Sequence, residues 1–282
     1  MAKSSGATVR RRRRVDLSWM KAPRPDEDGS MALVDHLKEL RYRVILSAIA
    51  VVLATAICLI WSDLLYRLVF RPYRLSIVMY EAAHPGADVN LVASGVSTPF
   101  MFTLKTALYA GLVVSCPVWL YQLWAFIAPG LLAKEKKYTL GFLATGIPLF
   151  LSGIALGYWI SPKGFAMLLG FTPEGVVNLQ DISDFLHFLS VMLLVFGGAF
   201  LLPVILVALN LVGVLRARTL SKYRAVGIFL CFIFGAVATP SQDPFSMCAL
   251  AVPMAVMYII SEVICHANDK RRGVSDELVL AD

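Results

Sequence analysis

Charge is scarce in this chain. Asp, Glu, Lys and Arg make up 16% of its 282 residues against 58% hydrophobic types, whereas a soluble domain carries about 25% charged residues. At a mean hydropathy of +0.71, a soluble fold would need a very large core with hardly any surface. Missing as well are a Gly-rich phosphate loop, a His-Glu-x-x-His or Gly-x-Ser-x-Gly motif and a pair of membrane aspartates. Neither nucleotide use nor intramembrane hydrolysis therefore has a signature, and no enzyme activity and no cofactor are expected. Cys58, Cys116, Cys231, Cys248 and Cys265 lie in or beside apolar stretches without metal-site spacing and read as small packing residues. His36, His187 and His266 have no second ligand at a suitable interval, so no metal is expected.

What the chain does have is apolar length, in six stretches at about 44–61, 106–128, 138–160, 188–215, 226–239 and 245–264. A spanning helix needs about 20 residues, at about 1.5 Å each, to cross about 30 Å of hydrocarbon. Four stretches come near or above that length, and the last two are read as short. The net charge of +7 follows the connections and does not point to nucleic acid. Basic residues gather at Arg10 to Arg14, Lys38, Arg41 and Arg43, at Lys134, Lys136 and Lys137, at Arg216, Arg218, Lys222 and Arg224, and at Lys270 to Arg272. The connections between carry only Arg67, Arg71, Arg74, Lys105 and Lys163. By the positive-inside rule both termini are cytoplasmic, while segments 62–105, 161–187 and 240–244 lie outside. The first stretch begins too late for a cleavable leader and is expected to stay as the first span. The expected fold is an all-α membrane protein with six transmembrane helices.

Residues 1–30 read as a flexible cytoplasmic tail, 31–264 as the membrane domain and 265–282 as a second cytoplasmic tail. An amphipathic helix is predicted from about Ser30, with Leu33, Leu37, Leu40 and Val44 at helical spacing, running along the inner surface into span one. The aromatic-rich segment 62–99 is expected to pack at the outer surface as a cap. Ser161 followed by Pro162 predicts a separate short outer helix through Leu169, and Ser183 or Asp181 is expected to start the fourth span. Pro117, Pro148 and Pro203 fall inside spans two, three and four and predict bends, which make a concave, glove-like bundle plausible. The turn 239–244 is short and should be drawn toward the membrane interior, with Asp243 capping the helix that Pro244 opens.

Two carboxylates stand beside the spans on the cytoplasmic side, Glu39 just before the first and Glu135 just after the second. Each can accept a guanidinium in a bidentate geometry that favours Arg over Lys. Each can equally be balanced by its own basic neighbours, Arg41 and Arg43 or Lys134, Lys136 and Lys137.

The run His36-Leu37-Lys38-Glu39-Leu40-Arg41 resembles the opening signature of the TatC family, the multispanning core subunit of the twin-arginine protein translocase. Further matches follow in order. They are Ser97 to Phe100, Tyr121 to Leu131, Glu135 with its basic followers, Ser161-Pro162, Phe196-Gly197 with Phe200 and Pro203, and Thr239-Pro240 with Asp243. The resemblance implies that Glu39 and Glu135 receive the paired arginines of a folded cargo's signal peptide. It also implies that Arg41, His36, Phe126, Leu131, Trp124 and Pro129 belong to or border that site, His36 tuning the Glu39 region. Gln122, Leu201, Phe200, Pro203 and Asp243 are implied in the membrane groove or in partner contact. Many family members carry an acidic or amide side chain where this chain has Leu201, so that polar contact is absent or supplied by another group such as Gln122.

The implied partners are twin-arginine signal peptides, single-span TatA/TatB-type subunits beside the last two spans, other TatC copies and membrane lipid, with no nucleic acid. The implied setting is the bacterial cytoplasmic membrane, and export is driven by the proton-motive force. Two other readings compete. A secondary transporter needs a polar midplane site and often a repeat; a structural scaffold does not require the two carboxylates.

Overall fold

The computed structural model describes residues 33–85, 89–127, 136–173, 178–240 and 243–272. Among them, four helical segments are long and apolar enough to cross a membrane: Val34–Ile60, Leu140–Leu169, Ile182–Val212 and Pro244–Arg271. A fifth candidate is the pair α3 (Thr98–Val114) and α4 (Cys116–Ile127), which meet at 57°. The fifth apolar stretch of the sequence forms α9 (Arg224–Ala238), a helix of 15 residues. The length criterion therefore supports four or five spans, and a sixth crossing depends on α9.

The first helix, α1 (Leu33–Ile60), runs without a break from the amphipathic segment into the apolar one. Its apolar side chains Val44, Ile49, Val52, Leu53 and Ile57 stay exposed, the reverse of a helix folded in water and suited to hydrocarbon. After Trp61 the chain turns into α2 (Ser62–Ala83), so the segment 62–99 is chiefly one long helix. Strand β1 (Val89–Val92) follows and pairs in parallel with β2 (Asn178–Asp181), Val89 opposite Asn178 and Val92 opposite Asp181. This small ladder is the one departure from an all-helical reading among the described residues, and four residues are too few for a periodic signal. Asp181 caps α6 (Ile182–Ala199), its Oδ1 accepting the Ser183 N–H at 2.7 Å. Its Oδ2 accepts the Ser94 N–H at 3.1 Å, which ties the loop after β1 to the start of that helix.

The prolines act in three ways. At Pro117 the helix breaks, and the Leu112 carbonyl left there accepts the Trp119 indole N–H at 2.9 Å. At Pro203 the apolar run turns through Phe200 and Leu201 from α6 into α7 (Leu202–Val212). Pro148 and Pro162 lie inside α5 (Lys136–Leu169), which continues through both. The separate outer helix expected from Ser161 is therefore not formed. The Ser161 hydroxyl donates to the Tyr158 carbonyl at 3.0 Å, the group that residue 162 would bond if it had an N–H, so the helix continues.

The sixth stretch also differs from expectation. It is not short, because α10 spans Pro244–Arg271, 28 residues. The polar tail from Ser261 onward is helical too, and apolar length underestimates such a helix. Its start is fixed by Asp243, whose Oδ1 accepts the Ser246 N–H at 2.7 Å.

Packing centres on α6. Half of the apolar window of Ile182–Val212 is buried (50%), against 11% for α1, so α6 is the hub and α1 lies at the periphery. Phe185, Met192 and Phe196 of α6 meet Tyr73 and Tyr80 of α2, Phe165 of α5 and Leu250 and Met254 of α10. Backbones come close where side chains vanish: a Cβ on Gly153 would stand 2.5 Å from the Phe196 carbonyl oxygen. Without a strong hydrophobic force between helices in lipid, such small-residue contacts supply the van der Waals packing.

Candidate functional site

Four of the expected site residues, Glu39, His36, Gln122 and Phe126, meet where α1 begins and α4 ends. Glu39 lies in the second turn of α1 and is buried, 4% exposed. Arg43, one turn later, donates from Nε to Glu39 Oε1 at 2.9 Å and from Nη2 to the same oxygen. Its Nη1 donates to Gln122 Oε1 of α4 at 3.3 Å. The i, i+4 spacing puts the two charges on one face, and Gln122 joins that face to α4.

The second carboxylate oxygen is different. Glu39 Oε2 is buried and accepts no hydrogen bond among the described residues; His36 Nδ1 stands 3.7 Å from it, outside hydrogen-bond range. A buried charged acceptor left unmade costs on the order of 1–3 kcal/mol or more. The His36 ring stacks on Phe126 of α4, centroids 4.4 Å apart and planes 11° from parallel. The site thus offers a half-satisfied carboxylate with an aromatic wall beside it.

The remaining expected residues divide. Trp124 is 1% exposed and stacks on Phe142 of α5 at 4.3 Å. Both line a cavity of about 560 Å³ whose other walls include Pro203, Val204 and Ile260. Arg41 is exposed and has no hydrogen bond or ion pair among the described residues. Glu135, Pro129 and Leu131 lie outside the described residues. Phe200 and Leu201 are buried at the turn into α7, Leu201 among Cys116, Leu120 and Phe150. Gln122 is engaged by Arg43, while Leu201 packs in apolar surroundings. Asp243 is buried as the cap of α10.

One polar cluster has no counterpart in the sequence reading. Glu262 of α10, 3% exposed, accepts Arg224 Nε at 2.9 Å and Nη2 at 2.6 Å, and the Ser221 hydroxyl at 2.6 Å. Further along α10, Asp269 accepts the Asn210 side-chain amide and the Ala217 N–H, each at 2.8 Å. These bonds pin α8 (Ala217–Lys222) and the end of α7 to α10. The legible signal was Glu262 itself, an acid near the end of an otherwise apolar run.

Comparison with known proteins adds a consistent picture. The family described as "Sec-independent protein translocase protein (TatC)" matches residues 35–253. A relative in Frankia casuarinae, named Sec-independent protein translocase protein TatC, is 38% identical over 248 residues, covering 87% of this chain and 68% of the relative. One of the same name in Xylanimonas cellulosilytica is 35% identical, covering 88% of each. A crystal structure titled as the twin arginine translocase receptor TatC superposes with a TM-score of 0.66 at 28% identity, over 82% of this chain and 98% of that one.

Proposed function

This chain belongs to the TatC family of Sec-independent protein translocase proteins, non-catalytic components of protein translocation, and from that premise we propose that it is the receptor for paired-arginine signal peptides. The observation that carries the proposal is the half-satisfied Glu39 carboxylate. Arg43 occupies Oε1, and Oε2 is buried without a donor among the described residues. An incoming guanidinium supplies that donor in a planar fork, which an ammonium does not match.

Glu135 then takes the second arginine, with Pro129 and Leu131 bordering the path and Arg41 setting the local charge. The Phe126 ring on His36 gives the guanidinium a flat face. The apolar part of the signal lies along the cavity walled by Trp124, Phe142, Pro203 and Val204, with Phe200 and Leu201 in the turn that leads into the Pro203 wall. Its apolar lining accepts any sufficiently hydrophobic segment, so charge selects and the groove retains.

The topology that fits is six crossings with both termini cytoplasmic, as a multi-pass protein of a bacterial cytoplasmic membrane. At about 1.5 Å per residue the 15 residues of α9 span about 22 Å, short of about 30 Å of hydrocarbon. The thinned bilayer there suits single-span TatA/TatB-type subunits, with Asp243 at the outer end of that face. Other TatC copies complete the complex, and export of folded cargo runs on the proton-motive force.

Photocrosslinking of a signal peptide to the chain in membranes tests the receptor role, comparing Arg-Arg with Lys-Lys peptides in the native chain, Glu39→Ala and Glu135→Ala. Crosslinking should favour Arg-Arg and fall in both variants; equal crosslinking throughout would sink the reading.

A further inference from the structure

Of the five cations on the connections assigned to the outside, three stand on one stripe of α2: Arg67, Arg71 and Arg74, at i, i+4 and i+7. All three are exposed, and none has a hydrogen bond or ion pair among the described residues. The acids of the same helix, Asp63 and Glu81, stand toward its two ends. Three other cations are paired within the chain, Lys38 with Asp35, Arg43 with Glu39 and Arg224 with Glu262. Three unpaired guanidiniums on the side that the positive-inside rule depletes call for an anion from outside the chain.

The surroundings say which kind. A cleft of about 500 Å³ runs along the stripe, lined by the three arginines with Tyr66, Phe70, Leu75 and Val78. Leu64 and Leu68 are exposed beside it. The cleft is therefore amphiphilic, with apolar walls and a cationic edge. Its depth is marked by α5: the Tyr158 hydroxyl reaches the Leu68 carbonyl at 2.8 Å, next to Arg67. Trp159 is exposed, with the Lys163 ammonium 3.6 Å from its ring centroid. Tyr, Trp and Lys in this order mark a membrane–water interface. Counted from Leu140 at about 1.5 Å per residue, residues 158–160 also fall about 30 Å along α5.

We infer that the Arg67–Arg71–Arg74 stripe of α2 is a binding site for the headgroup phosphate of an anionic phospholipid, with an acyl chain along Phe70, Leu75 and Val78. The guanidinium fork matches phosphodiester oxygens bidentately, and the headgroup depth puts that phosphate within reach. The site shares no residue with the Glu39 site and rests on the proposed topology for the positive-inside argument and for its assignment to the outer leaflet.

The test uses the purified full chain in neutral detergent, offered equal amounts of phosphatidylglycerol and phosphatidylcholine and read by native mass spectrometry. The native chain should retain phosphatidylglycerol preferentially. R67Q/R71Q/R74Q should lower that retention about tenfold or more, a loss of about 1.4 kcal/mol, whereas R216Q/R218Q, which removes two exposed cations elsewhere, should leave it unchanged. Equal retention of the two lipids, or full retention by the triple variant, overturns the inference. Displacement by millimolar inorganic phosphate also overturns it, since the site would then hold a free anion. Signal-peptide crosslinking is a separate readout, so failure here leaves the receptor reading standing and the reverse holds as well.

Discussion

The Tyr158 hydroxyl donates to the Leu68 carbonyl at 2.8 Å, the carbonyl that Pro72, lacking an N–H, cannot bond four residues later. One side chain of α5 thereby repairs the hydrogen-bond ladder of α2 and fixes the two helices against each other. Tyr158→Phe keeps the ring and removes only the donor. It should lower stability by about 1 kcal/mol or somewhat more, read as a lower thermal midpoint of the detergent-solubilised chain. Phe70→Leu, elsewhere on the same helix, is the packing control and leaves the ladder repaired. An unchanged midpoint in Tyr158→Phe would show that water serves the carbonyl equally well.

The crossing of α5 and α6 predicts a contrast between two neighbouring glycines. A Cβ on Gly197 would stand 2.8 Å from Phe150 Cε2, while one on Gly198 meets nothing within 4 Å. Gly197→Ala should therefore force the helices apart and cost about 1–3 kcal/mol as overpacking. Gly198→Ala should be neutral or slightly stabilising through helix propensity. Chemical denaturation in mixed micelles checks both; equal effects would mean that the crossing is looser than its distances.

The extent to which the fold could be read from residues follows from the range of each signal. Apolar length and the charge alternation located the long helices, because hydrocarbon imposes a minimum length on any span. Asp181 and Asp243 were readable as caps because a side-chain acceptor before a helix acts within two or three residues. The fusion of 161–169 with α5 was not readable, since Ser161 followed by Pro162 opens a helix or continues one depending on whether the Tyr158 carbonyl finds another donor. Likewise β1 and β2 are 89 residues apart in register, and nothing local in Val89 or Asn178 announces the other. Within the site, Glu39 was identifiable by its place at the edge of a span, but its unmade Oε2 bond depends on Arg43 choosing Oε1. Glu262 was passed over because its partners, Ser221 and Arg224, lie about 40 residues earlier, at separations of 41 and 38.

The tie at Asp181 carries a pH dependence. Hydrogen bonds from Ser94 first, and then from the Ser183 N–H, hold the Asp181 carboxyl below the ordinary carboxylate range. A pKa lowered on folding contributes stability that is present above the unfolded value, about 3.9, and lost as pH falls through the folded value. Asp181→Asn should therefore melt below the native chain at pH 6, and the gap should close as pH falls below about 4. Parallel melting curves of the two proteins across that window would count against the tie.

The Arg224–Glu262 pair makes the last prediction, because its two ends differ in environment. Glu262 is 3% exposed on its side chain and Arg224 is 55% exposed. Removing the arginine strands a buried carboxylate, with only the Ser221 hydroxyl still donating to it. Removing the carboxylate leaves an exposed guanidinium that water can solvate, as well as freeing Ser221. Breaking a pair from its solvated end is the costlier change, since an uncompensated charge then stays inside. Arg224→Gln should therefore lower the thermal midpoint more than Glu262→Gln. The double variant should recover part of that loss, giving a coupling of the sign a double-mutant cycle assigns to a real pair. Because Ser221 and Arg224 join α8 and α9 to α10, the same order should appear in protease cleavage of the 213–224 connector. Strict additivity of the two substitutions would mean that solvent screening has already removed the interaction, and that the bonds of Asp269 to Ala217 and of Tyr258 to Leu220 hold the connector.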